Sequence, residues 1–187
     1  LEAKAAQHYI SILLTSPDED TVLMDTASSA SPFWKIVERL YGAEASYRQD
    51  LNFPAGVHGF TVGSNVANIP FPDASLNMIT SHCSWEHFEG NTDVQYVAEC
   101  DRLLRPGGAL IIVPLYFADQ YAVHTSPHIW NKKYAAANEP PEFDGNVTIF
   151  LREGIRQRAA KFYTGPELIR KILKPFAEQF IFFMHYY

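Results

Sequence analysis

Cysteine is scarce: Cys83 and Cys100 are the two in 187 residues, and they form no C-x-x-C pair. That excludes a framework of several disulfides and points to reduced thiols in a cytoplasmic setting. No apolar run approaches the roughly 18 residues that a membrane helix needs, and the N-terminus lacks the basic start and apolar block of a signal peptide. A soluble protein without a membrane span is expected. Glycine and proline number 10 and 12, too few for a collagen-like or linker-like chain, and no low-complexity tract or long-period repeat is present. Basic residues are sparse in the first half: Leu1 to Asp93 carries 4 against 12 acidic ones, whereas Val94 to Tyr187 carries 11 against 9. A duplex nucleic-acid partner, which asks for a basic face to displace counterions, is therefore not expected. The second half leaves room for a local basic patch. The chain begins at Leu1 rather than Met and ends in an apolar run, as a trimmed piece of a longer product would.

What is present is an ordinary globular composition, 47% hydrophobic and 14% aromatic, which suits one domain over residues 1–187. Apolar residues at helical spacing run from Glu2 to Leu14 and stop at Ser16-Pro17, where the residue before proline is held away from the helical region. Thr21 to Met24 is short and apolar enough for a buried strand. Pro32 to Tyr41 reads as a helix with proline in its first turn and Gly42 just past its end. Ala45 to Gln49 and Val57 to Val62 are further strand candidates, then Leu76 to Thr80 after the turn-rich Ile69 to Ser75. Asp93 to Leu104 is amphipathic, with Asp93 placed to suit the helix dipole. The turn Arg105 to Gly108 leads into an apolar strand, Ala109 to Pro114. From Tyr116 to Phe143 the pattern dissolves into an aromatic, irregular stretch. Thr164-Gly-Pro-Glu167 then opens a helix in capping-box style, running to about Pro175, and Phe180 to Tyr187 is the last strand candidate. Strands alternating with helices predict an α/β fold, a doubly wound, mostly parallel sheet. Ligands of such sheets bind beyond the carboxyl ends of the strands at the topological switch point.

That rule directs attention to a few loops. After the first strand comes Asp25-Thr-Ala-Ser-Ser-Ala-Ser31, where Ala27, Ser29 and Ser31 are small residues at alternate positions. They let backbone approach a ligand, with the next helix presenting its N-terminal amides. With no glycine in the loop, a nucleotide phosphate cradle is disfavoured. Asp50, at the end of the second strand, is placed to accept hydrogen bonds from ribose hydroxyls or to cap a turn.

Three segments are more specific in combination: Ser64 to Leu76, containing Asn65 and Ile69-Pro-Phe-Pro-Asp73; Ser81 to Phe88; and Glu99-Cys-Asp-Arg102-Leu-Leu-Arg105-Pro-Gly-Gly108. Together they resemble the class I S-adenosylmethionine-dependent methyltransferases, in particular their small-molecule group. The resemblance covers Thr21 to Pro114 well and Thr164 to Tyr187 more loosely. It implies a Rossmann-like fold and S-adenosylmethionine as cofactor. By the same resemblance Asp25 is the acidic residue ending the first strand, and Ala27, Ser29 and Ser31 stand where the family has Gly-x-Gly-x-Gly. Asp50 is the ribose-binding acid, Asn65 faces the adenine amino group with Val66 beside the ring, and Ser81 and His82 border the methionine end. Three missing glycines make this loop degenerate, and any position there that needs positive φ costs roughly 1–2 kcal/mol for a non-glycine residue. The family sheet ends with an antiparallel strand that nothing after Tyr187 supplies, so either the segment is truncated or an unusual edge closes the sheet.

His82, with an ordinary pKa near neutrality, is the candidate general base. His82, Cys83, Glu86 and His87 also invite a metal-site reading, but the spacing H-x-x-x-E-H matches no zinc-hydrolase helix pattern, so no metal is expected. Trp85 reads as core, and Glu86 and His87 as structural or pocket-bordering. The family commonly covers its acceptor site with the segment after the fifth strand, here 116–161. This segment holds Tyr116, Tyr121, His124, His128, Trp130, Tyr134 and Phe143, then Arg152, Arg156, Arg158 and Lys161. Aromatic faces suit a sugar ring or a flat apolar acceptor and arginines a phosphate or carboxylate. A solvated basic face over ordinary aromatic packing explains the same residues. The expected activity is methyl transfer to a small molecule, a saccharide or cell-surface precursor. The alternative is a methyltransferase-like domain that has lost its cofactor and serves as a binding or scaffolding module.

Overall fold

The computed structural model of the chain describes residues 2–43, 45–130 and 140–185. Tyr134 of the aromatic stretch and Tyr186 and Tyr187 of the expected last strand lie outside the described residues. The chain divides into two compact units, Leu1–Trp85 with Ala98–Pro114, and Glu86–Val97 with Leu115–Tyr187. Among the described residues no helix is long and apolar enough to cross a membrane.

The elements of the first sheet, in chain order, are α1 (Glu2–Thr15), β1 (Val22–Thr26), α2 (Phe33–Tyr41), β2 (Ala45–His58), β3 (Thr61–Gly63), β4 (Leu76–His82), α3 (Thr92–Leu103) and β5 (Leu104–Val113). The strands pair in the order β3-β2-β1-β4-β5, and the register of β1 with β2, of β1 with β4, and of β4 with β5 is parallel. Because the chain works outward from β1 through β2 and β3 and then returns to β4, the switch point lies between β1 and β4. Leu23 on β1 and Met78 on β4 are buried against Phe33 and Val37 of α2, and Ile12 of α1 packs on the same cluster. Each such side chain contributes roughly 1.5–3 kcal/mol by leaving water, so this cluster holds the first two helices to the sheet.

The helix ends follow the punctuation. Ser16 takes φ +45° just before Pro17 and donates its N–H to Ile12 O, closing α1. Gly42 closes α2 in the left-handed conformation at φ +63°, its N–H reaching Glu38 O.

Two strands differ from expectation. The candidate at 57–62 is split by a turn at Gly59 and Phe60, so Val57 and His58 form the far end of β2, folded back on β3. Arg48 to Asp50 pair with Thr61 to Gly63 in the same direction, whereas Val57 and His58 pair with Val62 and Thr61 in the opposite one. No helix is needed for this short crossover. It asks instead for a glycine where the chain crosses itself: a Cβ on Gly63 would stand 1.9 Å from Pro54 O and 2.5 Å from Phe53 O. The turn Arg105 to Gly108 lies inside β5 as a bulge, with Leu104 opposite Leu76 and Ala109 already opposite Met78.

The second unit carries a three-stranded sheet of order β7-β6-β8, made of β6 (Ala122–Thr125), β7 (Thr148–Leu151) and β8 (Ala160–Phe162). The stretch read as irregular from Tyr116 thus contains a strand, too short to show a period of two. Thr164 caps α4 (Gly165–Leu168) by accepting the Glu167 N–H at 3.2 Å, as the capping-box pattern predicts, and the helix continues as a π turn, Ile169–Leu173. The last strand is not formed: residues 180–185 have no regular structure, and Ile181 and Phe183 are 85% and 79% exposed. Beyond β5 no further strand joins the first sheet among the described residues.

Candidate functional site

The switch point brings the ends of β1 and β4 side by side, Asp25 opposite Thr80 and Thr26 opposite Ser81. Asp25 is fully buried. Its Oδ1 accepts from the Thr80 hydroxyl at 2.9 Å and from His82 Nδ1 at 3.1 Å, whereas its Oδ2 is buried with no hydrogen-bond partner among the described residues. Ser81 Oγ, on the neighbouring strand and 1% exposed as a residue, is likewise unpartnered. An unsatisfied buried carboxylate oxygen costs about 1–3 kcal/mol or more, so this pair marks the place as one that asks for a ligand.

Ala27 has φ +49°, and Cys83, just beyond β4, has φ +52°. Two of the four non-glycine residues with positive φ among the described residues therefore stand directly after the two strands that flank the switch point, where strain at functional sites collects. Ala27 is held in this conformation from three sides. Its N–H donates to Gln49 Oε1 at 3.1 Å, its carbonyl accepts from Ser84 Oγ at 3.1 Å, and the next amide, Ser28 N–H, donates to Gln49 O at 2.9 Å. Gln49 also donates through Nε2 to Ser64 O. Fully buried within β2, it ties the loop after β1 to the loop after β3. Sequence reading missed it, since a glutamine next to Asp50 carries no motif; its place as the last residue of a buried strand was the available signal.

Asp50 is 6% exposed, and its carboxylate closes the same loop. Oδ2 accepts from Ser29 N–H at 3.0 Å, and Oδ1 accepts from the backbone N–H and side-chain amide of Asn52 at 2.8 and 2.6 Å. Three of the roughly four lone-pair positions of a carboxylate are thus used. Ser29 is exposed, and the Ser31 hydroxyl accepts from Phe33 N–H at 3.3 Å at the start of α2. Asn65 is exposed and folds back on itself, its Oδ1 accepting Ala67 N–H at 2.9 Å, while Val66 is 5% exposed.

His82 is 5% exposed, packed against the rings of Phe33 and His8 at centroid distances of 4.5 and 4.9 Å. Its Nδ1 faces Asp25 and its Nε2 lies 2.8 Å from Ser11 Oγ on α1. With the ring proton on Nδ1, His82 donates to Asp25 and turns Nε2 to the Ser11 hydroxyl, whose one proton is shared with Gln7 O at 3.1 Å; the order is that of orienting acid, base and hydroxyl in a catalytic triad. Ser11 has no exposed surface, however, so no substrate reaches its hydroxyl. The contact fastens α1 to the end of β4, helped by Cys83 Sγ donating to Gln7 Oε1 at 3.2 Å. Both ring nitrogens of His82 are thus engaged within the protein. Burial, and then the neighbouring His82, hold the His8 imidazole below its ordinary range, with Asp25 opposing.

The acidic motif before β5 has a structural task. Glu99 Oε1 accepts Ile69 N–H, and Arg102 donates to Glu99, to Asp73 Oδ1 at 2.6 Å, and to the carbonyls of Phe71 and Ile69. Burial pushes the Glu99 carboxyl up, but the hydrogen bonds from Arg102 and Ile69 outweigh it and hold it below its usual range. The Ile-Pro-Phe-Pro-Asp loop is thus pinned to α3.

In the second unit, the basic run is largely spoken for. Arg158 Nε donates to Glu89 at 2.7 Å, and Lys161, 2% exposed, bonds Asp93 at 3.0 Å. Asp93, in the first turn of α3 as expected, is fully buried between Lys161, Lys171 and the Tyr163 hydroxyl. Burial pushes the Tyr163 and Tyr121 hydroxyls far up and the Lys161 ammonium down. Trp85 is core at 2% exposure, and His87 Nδ1 meets the Ala159 carbonyl at 2.7 Å. Among the described residues no group of three His, Cys, Asp or Glu could hold a metal ion.

A mostly parallel five-stranded sheet in this order, with its switch point between β1 and β4, is the Rossmann-like arrangement that the sequence predicts. Residues 26–112 match the family model described as a methyltransferase domain. The chain is 40% identical over 48 residues to a protein of Mycolicibacterium smegmatis named as a probable S-adenosylmethionine-dependent methyltransferase, a match covering 26% of this chain and 18% of the relative. The YcgJ protein from Bacillus subtilis has the same fold at 17% identity and a TM-score of 0.53, over 62% of this chain and 53% of that one. So does the 1,6-didemethyltoxoflavin-N1-methyltransferase of Burkholderia thailandensis, solved with 1,6-didemethyltoxoflavin and S-adenosylhomocysteine bound, at 17% identity, a TM-score of 0.60, and 92% and 66% coverage. The chain spans under a fifth of the curated relative it matches.

Proposed function

We propose that the chain is an S-adenosylmethionine-dependent methyltransferase acting on a small molecule. The observation that carries this reading is the pair of buried, unpartnered oxygens at the switch point, Asp25 Oδ2 and Ser81 Oγ. The cofactor's amino-acid end offers an ammonium group for a buried carboxylate oxygen and a carboxylate for a hydroxyl, so the residues present fit it. Asp50 retains one free lone-pair position for a ribose hydroxyl and gains another if Asn52 yields. Val66 supplies an apolar wall and Asn65 an amide for the adenine ring. When bound, the cofactor supplies a methyl group on a positively charged sulfur. What this chain then does is hold the acceptor in line and keep water away, which needs no triad.

The acceptor we infer is a saccharide or another small polar molecule. In the second unit Tyr116, Phe162, His124 and Phe150 form a row of ring contacts across the small sheet, at separations of 5.8, 4.7 and 5.4 Å, the first two pairs tilted and the last edge to face. Such a row offers ring faces to a sugar or a flat acceptor. Lys161, Lys171 and Arg158 are already paired within the unit, which supports a partner other than duplex nucleic acid.

Calorimetric titration with S-adenosylmethionine and S-adenosylhomocysteine tests the reading. Saturable heat is expected, lost in Asp25→Ala. No heat and no thermal shift at millimolar cofactor would end it.

A further inference from the structure

The second unit holds a cavity of about 350 Å³ whose walls include Asn91, Val94, Asp144, Asn146, Arg170 and Lys171. That is the lower end of the range of ligand sites, roughly 300–1,000 Å³, and suits one small ring. Its floor is a built network. Lys171, 6% exposed, donates to Asp93 and Asp144 at 3.0 and 2.6 Å and to the Tyr121 hydroxyl at 3.0 Å, spending all three ammonium protons. Lys161 stands 3.0 Å from Asp93 and 3.4 Å from Asp144. Two lysines and two aspartates cancel, and on the rim Arg170 is balanced by Glu167 at 2.6 Å. The cavity therefore carries hydrogen-bonding capacity without net charge.

The unspent capacity defines the ligand. The Asp144 side chain is 7% exposed, and its Oδ1 is buried without a hydrogen-bond partner among the described residues. Asn91 and Asn146, both exposed, present side-chain amides on the cavity wall, and Arg170 reaches Glu167 through Nε and Nη2. A metal cation would meet the Lys171 ammonium, already 2.6 Å from the Asp144 carboxylate. An anion would meet that carboxylate and find both lysines neutralised. The occupant must donate to Asp144 and accept from Arg170 and the two amides, and hydroxyl groups do both. We propose that this cavity binds a neutral polyhydroxylated ring, a single saccharide unit. Binding here does not depend on whether that ring is the methyl acceptor.

Saturation-transfer NMR on the full chain tests this, with the methyl glycosides of glucose, galactose, mannose, rhamnose and N-acetylglucosamine, and with glycine and inorganic phosphate as competing chemistries. At least one glycoside is expected to show transfer, weakened at least tenfold in Asn146→Leu and in Asn91→Leu. Both positions are exposed, so circular dichroism and melting should stay as in the parent chain. Transfer to none of the glycosides, transfer to glycine or phosphate alone, or glycoside transfer undiminished in both variants would overturn the proposal. S-adenosylhomocysteine titrated into the same samples reads the methyltransferase site separately, so failure of one reading is distinguishable from failure of the other.

Discussion

Replacing Ala27 with glycine should stabilise the protein, against the usual rule that glycine weakens a chain. Ala27 sits at φ +49°, locked there by Gln49 and Ser84. A left-handed conformation costs an L-residue roughly 1–2 kcal/mol, and glycine removes that cost. The greater freedom of glycine in the unfolded chain returns about 0.5–1 kcal/mol. The net gain lies between about 0 and 1.5 kcal/mol and centres on ~0.75 kcal/mol, which for a chain of this size is a rise of roughly 2–3 °C in the unfolding midpoint. Ala27→Val, which adds a β-branch at the same strained position, should lower the midpoint by at least as much. Thermal unfolding followed by circular dichroism, with denaturant midpoints as a check, measures both. A midpoint lowered by Ala27→Gly, or valine tolerated as well as alanine, would show that the loop after β1 is not strained as described.

Other perturbations follow from the same structure. Gly63→Ala puts a Cβ within 1.9 Å of a backbone carbonyl, so it should cost more than about 4 kcal/mol and be seen as loss of soluble folded protein. Asp93→Asn leaves two buried lysines facing one carboxylate and should cost about 3–5 kcal/mol in denaturant unfolding. His8 has a folded-state pKa below its ordinary 6.5. The folded chain thus binds fewer protons than the unfolded one, and stability present above that value is lost as pH falls through the window below it. His8→Phe should flatten the decline in melting temperature between about pH 7 and pH 5, though not abolish it, since burial lowers His124 in the same sense. An unchanged slope would contradict the burial of His8 against His82. Asp50→Ala should weaken S-adenosylhomocysteine binding at least tenfold, about 1.4 kcal/mol, in calorimetric titration.

The sheet was legible because each of its buried strands is a short apolar run bounded by punctuation: Leu23 and Met24 before Asp25, Met78 and Ile79 before Ser81, Ile111 to Val113 before Pro114. The helix ends at Ser16-Pro17 and Gly42 were legible for the same reason. The β2–β3 crossover was not, because its driving fact is a backbone collision at Gly63 that only the folded chain creates. The motif around Asp73, Glu99 and Arg102 was recognisable as a pattern, but its cause, one guanidinium bridging a loop and a helix, was not. At the site, Asp25, Asp50 and Ser81 stood out by position at strand ends. Gln49 did not, because its task depends on two loops meeting across a strand. Nor did Lys161 and Lys171 stand out: charge counting treats a lysine as solvated, and their burial rests on partners between 17 and 78 residues away. Phe180 to Tyr187 had the composition of a strand, but residues 180–185 pair with no strand among the described residues.

The central claim is that the carboxyl ends of β1 and β4, with the stretch of β2 around Asp50, hold the cofactor. Amide chemical-shift mapping during titration with S-adenosylhomocysteine tests it most directly. The account predicts saturable shifts concentrated at Asp25 to Ser31, Asp50 to Asn52, Ser64 to Val66 and Ser81 to Cys83. Saturable shifts confined to other residues, or none at millimolar ligand, would contradict it.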